Sequence, residues 1–234
     1  MTSLVLSLFP GIGLLDMAFE LEGFCVVRGP DLLWGGDIRT FHPPAGKFDG
    51  VIGGPPCQQF SCVNQAARKG LQRLAENLIP EFERVVSLAA PMWFLMENVK
   101  PAPLPCVPSY RVWERVINNR WTGAEQNRVR RFSFGSIEGR PLVFDFEPFL
   151  NPVKASCFTA NGTQWDADKG RSRVDRSCKS LEKGLMLQGL PSDFLAHAPF
   201  TVEGKVRTVG NGVPLPMGRA VARAVKRAMY EGAA

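Results

Sequence analysis

Short apolar runs alternate with stretches of helical spacing along the first half of the chain. SLVLSLF (3–9) reads as a buried strand, PGIG (10–13) as a turn, and LLDMAFELEG (14–23) as a helix with apolar residues on one stripe. FCVVR (24–28) and FDGVI (48–52) read as second and third strands. After the polar stretch NQAARKG (64–70), LQRLAENLIPEFERVVSLAA (71–90) has helical spacing, with Pro80 expected to split it. PMWFLMENV (91–99) is a further buried strand that ends in polar residues. VWERVINNR (112–120) reads as helical, and QNRVRRFSFG (126–135) as a strand with arginines on one face. Strands alternating with helices predict an α/β domain built on a mostly parallel sheet.

The pattern then breaks. From Ser136 to about Arg176 the chain is rich in Pro, Asn, Gly and charge, with little periodicity, and predicts a small subdomain or extended loop region. Order returns with SLEKGLMLQGLPSDF (180–194) and with VPLPMGRAVARAVKRAMY (213–230), a closing helix.

Composition changes this picture little. Over 234 residues, 45% hydrophobic and 21% charged side chains describe one ordinary globular domain with material for a core. A net charge of +6 leans mildly toward polyanionic partners. Its placement says more: Arg128, Arg130 and Arg131 form one cluster, and Lys169, Arg171, Arg173, Arg176 and Lys179 another. Arg219, Arg223, Lys226 and Arg227 fall on the closing helix, where a solvated face is expected. Six cysteines without a CxxC pair, beside two histidines, argue against structural zinc. A disulfide framework does not suit a chain of this size, and a reducing compartment is expected. The apolar N-terminus has no basic residue before Arg28 and is interrupted by Pro10, Asp16 and Glu20, so it reads as strand and helix rather than signal peptide. No run is apolar enough to span a membrane.

Candidate chemistry collects at strand ends. The glycine turn with Gly11 and Gly13 can bring backbone N–H groups and a helix N-terminus close to a polar cofactor, yet it lacks the GxGxxG spacing of a dinucleotide site. Asp31, past the second strand, can accept hydrogen bonds from ribose hydroxyls, and Asp37 in GGDI can contact an adenine amino group. In GGPPCQQFS (53–61) a strand ends in residues that cannot extend it. Two prolines, Pro55 and Pro56, restrict the backbone before Cys57 and hold the thiol at the carboxyl edge of the sheet. Glu97, closing an apolar run, stands where a carboxylate can hold or share a proton. Gln126, Arg128 and Arg130 share a strand face and are costly to bury without anions or carbonyls to bind. Cys62 reads as structural.

Together FPGIG, GGPPCQQFS, ENV, QNRVR, LQGLP and VGNGVP, in this order, resemble the blocks of the C5-cytosine-specific DNA methyltransferases, of a compact phage or bacterial type. The resemblance covers Ser3 to about Gly135 and Leu181 to about Val225. It implies a Rossmann-like methyltransferase fold: a catalytic and cofactor-binding part at 1–135, a short, irregular target-recognition region at 136–180, and a return to the catalytic part at 181–234. It implies S-adenosylmethionine as cofactor, lined by Phe9, Gly11, Gly13, Asp31, Asp37, Pro55, Asn211 and Val213. Cys57 would be the nucleophile at cytosine C6, with Glu97 at N3, Arg130 at O2, and Arg128 and Gln126 in support. Double-stranded DNA would be the substrate, the target base flipped out of the stack, with Gln58, Ser61, Arg131, Arg171 and Arg173 as nucleic-acid contacts. Further implications are a monomer, a bacterial cytoplasm, a cognate restriction endonuclease as a candidate partner, and no metal.

The chain departs from the family where the helix after the second strand is missing or reduced. Its middle segment is also small for a module that reads a major groove, which predicts a short or loosely defined site. A rival within the family is the tRNA-methylating branch, whose CFT tripeptide occurs here as Cys157–Phe158–Thr159. The rivals outside it are a non-catalytic nucleic-acid-binding relative and a nucleotide-dependent oxidoreductase.

Overall fold

The computed structural model describes residues 3–57, 60, 76–146, 155–166 and 171–231. Six strands form one twisted sheet in the order β2-β1-β3-β4-β6-β5. Strand β1 (Leu4–Leu8) lies between β2 (Cys25–Arg28) and β3 (Gly50–Gly53), parallel to both, and β4 (Trp93–Asn98) runs parallel to β3. Strand β6 (Val129–Ser136) is antiparallel to β4 and to the edge strand β5 (Arg111–Asn118), so β6 alone reverses the sheet direction.

Strand β5 overturns the helix expected at 112–120. Val112, Trp113, Val116 and Ile117 sit at a spacing that fits one helical stripe. As a strand the same four residues divide between two faces, and both faces of this sheet are covered. Ile117 and Trp113 join the cluster on one side, and Val112 joins the cluster on the other. Apolar residues on both faces of this partly covered edge strand hide the period-two signature, and pairing along β6 decided the outcome.

Helix α1 (Leu14–Leu21) and the closing helix α5 (Leu215–Lys226) cover one face, packing Phe19, Met217 and Val221 on Val5, Ile52, Trp93, Phe132 and Phe134. Helix α2 (Ile79–Ala89) covers the other, with Phe82, Val85 and Val86 against Leu6, Val51, Phe94 and Met96. Pro80 stands in the first turn of α2, where a proline lacks only an N–H that the helix start leaves unpaired anyway; residues 71–75 of the run it is expected to split lie outside the described residues. The basic residues of α5 are partnered as well as exposed. Arg219 and Arg223 reach one carboxylate oxygen of Glu22 at 2.7 and 3.2 Å, and Lys226 donates to the Glu22 carbonyl, fastening α5 to the end of α1.

Between β2 and β3 lie only two short 3-10 turns, Leu32–Trp34 and Ile38–Thr40, in keeping with the missing or reduced helix read from the sequence. Helices α3 (Cys178–Gln188) and α4 (Val202–Asn211) form a third cluster with Leu14 and Phe158. Helix α4 was not legible in the sequence. The segment read as irregular contains a hairpin, β7 (Thr163–Asp166) with β8 (Arg171–Val174). Phe158 is fully buried, anchoring this stretch to the third cluster.

Candidate active site

The strand order turns at β1: the chain leaves it leftward to β2 and returns on its right as β3. In such sheets the crevice at the carboxyl ends of the two diverging strands is open to a ligand. A cavity of about 450 Å³ lies there, floored by Ser7, Gly53 and Gly54 and walled by the 9–16, 30–39 and 207–213 segments, with Cys57, Glu97 and Arg130 at one end.

The turn after β1 is held in an uncommon backbone shape. Phe9 has φ +56°, which costs a bulky side chain about 1–3 kcal/mol. Gly11 and Gly13 follow at φ +56° and +78°. The β2–β3 loop clamps the Gly11 peptides: one Asp31 oxygen accepts from Gly11 N at 2.8 Å, and Trp34 Nε1 donates to Gly11 O at 2.7 Å. The other Asp31 oxygen accepts from Leu33 N at 2.7 Å. Each carboxylate oxygen keeps a second lone pair for a hydroxyl. Asp37 grips the fork of Arg39, whose hydrogen bonds hold its carboxyl below the usual range. Phe9, Gly11, Asp31, Asp37, Pro55, Asn211 and Val213 all line the cavity. Gly13 does not: it caps α1, and a Cβ there would stand 2.7 Å from the Arg28 guanidinium.

Asp16 and Thr208 are among the lining residues that the sequence reading did not assign to the site. Asp16 is fully buried; Ser7 Oγ donates to it at 2.5 Å, and Arg28 Nε lies 3.1 Å from its second oxygen without forming a hydrogen bond. Burial raises its pKa, against the opposing pull of Ser7 and Arg28. Its signal was a lone acid within an apolar helical run. Thr208, one turn before Asn211 on α4, could not be found without the helix.

The sequence places Cys57 at a strand end, and the structure shows what fixes it. Asn98, the last residue of β4, donates from Nδ2 to the Pro55 carbonyl at 3.2 Å, tying the proline turn to the neighbouring strand. Antiparallel register sets Glu97 opposite Phe132. Arg130, two residues along β6, is then a diagonal neighbour on the same face. Its Nε lies 2.8 Å from Glu97 Oε1, with both side chains largely buried. Burial, and then the Glu97 charge, push the Cys57 thiol up, with Arg130 and Arg128 partly offsetting them. Positive charge is thus at hand beside the thiol, though burial and Glu97 outweigh it.

Arg128 is fully buried and spends its guanidinium on main-chain carbonyls: Phe158 at 2.9 Å, Gly210 at 2.9 Å and Gly212 at 3.0 Å. Burial, and then the charge of Arg130, pull it down to about 10, still charged at neutral pH. Gln126 is equally buried, accepting from Phe158 N and donating to Leu187 O. Arg131 is not a surface cation: it is buried and donates to the carbonyls of Lys100, Ala102 and Pro103, securing the loop after β4. It corrects the sequence reading, since alternation sends it to the face opposite Arg130. Arg171 and Arg173 lie on β8, and Gln58 and Ser61 fall outside the described residues. The CFT tripeptide is accounted for by packing, with Phe158 in the core and Cys157 Sγ 3.5 Å from Arg128.

Known proteins resemble this chain in sequence and in fold. Residues 35–102 match the family model described as C-5 cytosine-specific DNA methylase. The type II methyltransferase M.AquIA of Picosynechococcus sp. is 35% identical over 194 residues, 63% of this chain and 77% of that protein. M.NgoPII of Neisseria gonorrhoeae is 30% identical over 146 residues, 55% of this chain and 38% of its own. The chain spans about a third to a half of several such relatives (38%, 52% and 32%). A solved methyltransferase encoded within an Escherichia coli prophage, titled a putative DNA modification enzyme, superposes with a TM-score of 0.65 at 16% identity, covering 97% of this chain and 99% of that one, a likeness of fold. With a relative this similar along most of its length and a matching family model, the chain belongs to the C-5 cytosine-specific DNA methylase family.

Proposed function

We propose that this protein transfers a methyl group from S-adenosylmethionine to C5 of cytosine in double-stranded DNA. The convergence of Cys57, Glu97 and Arg130 at one end of the cavity carries the reading. The residues present suit the cofactor. The cavity is of ligand size, and Asp31 and Asp37 on its wall supply acceptors for a polar ligand.

When bound, S-adenosylmethionine supplies an electrophilic methyl group on a sulfonium. The chain's task is to make C5 nucleophilic. Cys57, as thiolate, adds to C6; the S–C6 bond forms and the ring electron pair shifts toward C5 and N3. Glu97 hydrogen-bonds or protonates N3, where negative charge builds. Arg130 orients the base through O2 and holds Glu97 in place. After C5 is methylated, its proton passes to solvent, the S–C6 bond breaks to return the thiolate, and N3 gives its proton back to Glu97. Burial and the Glu97 charge hold the thiol up, so its proton must leave as the base enters; Glu97 can take that proton and pass it to N3, leaving Arg130 to favour the thiolate.

The target base must leave the duplex to reach Cys57. Residues 1–135 and 181–234 would form the catalytic unit. The hairpin Thr163–Val174 and its flanks would be a small recognition element, favouring a short or loosely defined site that bisulfite sequencing of treated DNA would reveal. A type II relative such as M.NgoPII makes a cognate endonuclease a candidate partner in a bacterial cytoplasm, and we expect the enzyme to act as a monomer.

The test incubates wild type and Cys57→Ala with labelled S-adenosylmethionine and either duplex DNA or tRNA. Wild type alone should label DNA and be trapped covalently on DNA containing 5-fluorocytosine. Equal labelling by the variant would refute the nucleophile, and labelling of tRNA but not DNA would refute the substrate.

A further inference from the structure

Three buried amides and cations meet where the cofactor wall joins the body of the protein. Arg128 bonds the carbonyls of Phe158, Gly210 and Gly212. Gln188 of α3 donates to the carbonyls of Val209 at 2.6 Å and Gly212 at 3.2 Å. Gln126 fixes the Phe158 amide from the other side. Gly210 lies flat against the same segment: a Cβ there would stand 2.4 Å from the Ala160 nitrogen and the Thr159 carbonyl carbon. Asn211 and Gly212, which line the cavity, are thus suspended between two carbonyls bonded by one guanidinium.

We propose that Arg128 is a positioning residue for the cofactor pocket, acting through the Gly210 and Gly212 carbonyls, and that residues 157–160 are the brace it works against. This rests on the cofactor reading above. It assigns the CFT segment to shaping the cofactor site rather than to choosing the nucleic acid. The physical ground is geometric. A planar fork can hold three carbonyls in fixed directions, whereas an ammonium is a single point that cannot span them. An arginine buried this deeply is costly unless those carbonyls satisfy it. The wall and brace are therefore locked together, and a shift of the wall displaces Asn211 from any ligand it holds.

Calorimetric binding of S-adenosylmethionine to wild type, Arg128→Lys and Gly210→Ala tests this, at a temperature where circular dichroism shows each folded. Both variants should bind more weakly by about tenfold or more, the range of ordinary coupling between sites. The loss should appear in cofactor KM before kcat. If either variant fails to fold, hydrogen exchange of wild type decides: cofactor should slow the amides of residues 157–160, which do not line the cavity. Unchanged affinity in both folded variants, or no added protection at 157–160, would overturn the inference and leave the cofactor reading standing. Failure of the wild type to bind cofactor at all would overturn both.

Discussion

The Glu97–Arg130 pair offers the sharpest test of the site's construction. At 2.8 Å, with an effective dielectric constant of about 20, the gross attraction is roughly 6 kcal/mol. Desolvation offsets much of it, and deleting one partner of a buried pair costs about 3–5 kcal/mol because the other charge is stranded. With side-chain exposures of 16% and 11%, some water reaches both groups, which favours the low end, about 3 kcal/mol. Arg130→Met should therefore lower the melting temperature by roughly 6–12 °C for a domain of this size. Glu97→Gln/Arg130→Met should melt above Arg130→Met alone, because no charge is then stranded. A double-mutant cycle read by urea denaturation should give a coupling of about 2 kcal/mol. Additive single-variant effects, or an Arg130→Met protein that melts with the wild type, would show that the pair is merely adjacent and that the register of β4 and β6 does not build the site.

Other expectations follow from the same geometry. Iodoacetamide should alkylate Cys57 more slowly at neutral pH than the exposed Cys25, Cys106 and Cys178, gaining only as pH passes the ordinary thiol value of 9.0. Glu97→Gln should speed the reaction by removing a charge that raises the thiol, and peptide mapping by mass spectrometry that shows slowing would contradict this electrostatic account. Asp16 holds its proton to higher pH in the fold than in the unfolded chain, so the fold binds the extra proton between 3.8 and the raised value. The stability this adds is fully present below 3.8 and is lost as pH rises through the raised value. Asp16→Asn should flatten that part of a urea-midpoint profile, and an unchanged slope would refute the assignment. Gly13→Ala should cost about 1–2 kcal/mol from left-handed backbone alone and push Arg28 off Asp16; a melting curve matching wild type would show that the turn relaxes.

Local pattern was enough for the parallel half of the sheet, for α1 and α5, and for the motif residues at strand ends. In each, a residue's partners are its own neighbours or a uniformly apolar layer. Proline, glycine and β-branched runs act within a few residues, and they located Cys57 and the Phe9–Gly13 turn without help. What failed was everything that depended on a distant partner. Strand β5 carries apolar residues on both faces because α-helical and loop layers cover both, and that covering cannot be read from its own eight residues. Helix α4 is modest in apolar content and is stabilised by docking on α3 and Phe158. Arg128, Arg130 and Arg131 are nearly interchangeable as sequence. Tertiary structure alone divided them, sending one to carbonyls of the cofactor wall, one to Glu97 and one to the loop after β4. A buried cation's role is set by whichever acceptors surround it, and those came from segments as many as 84 residues away.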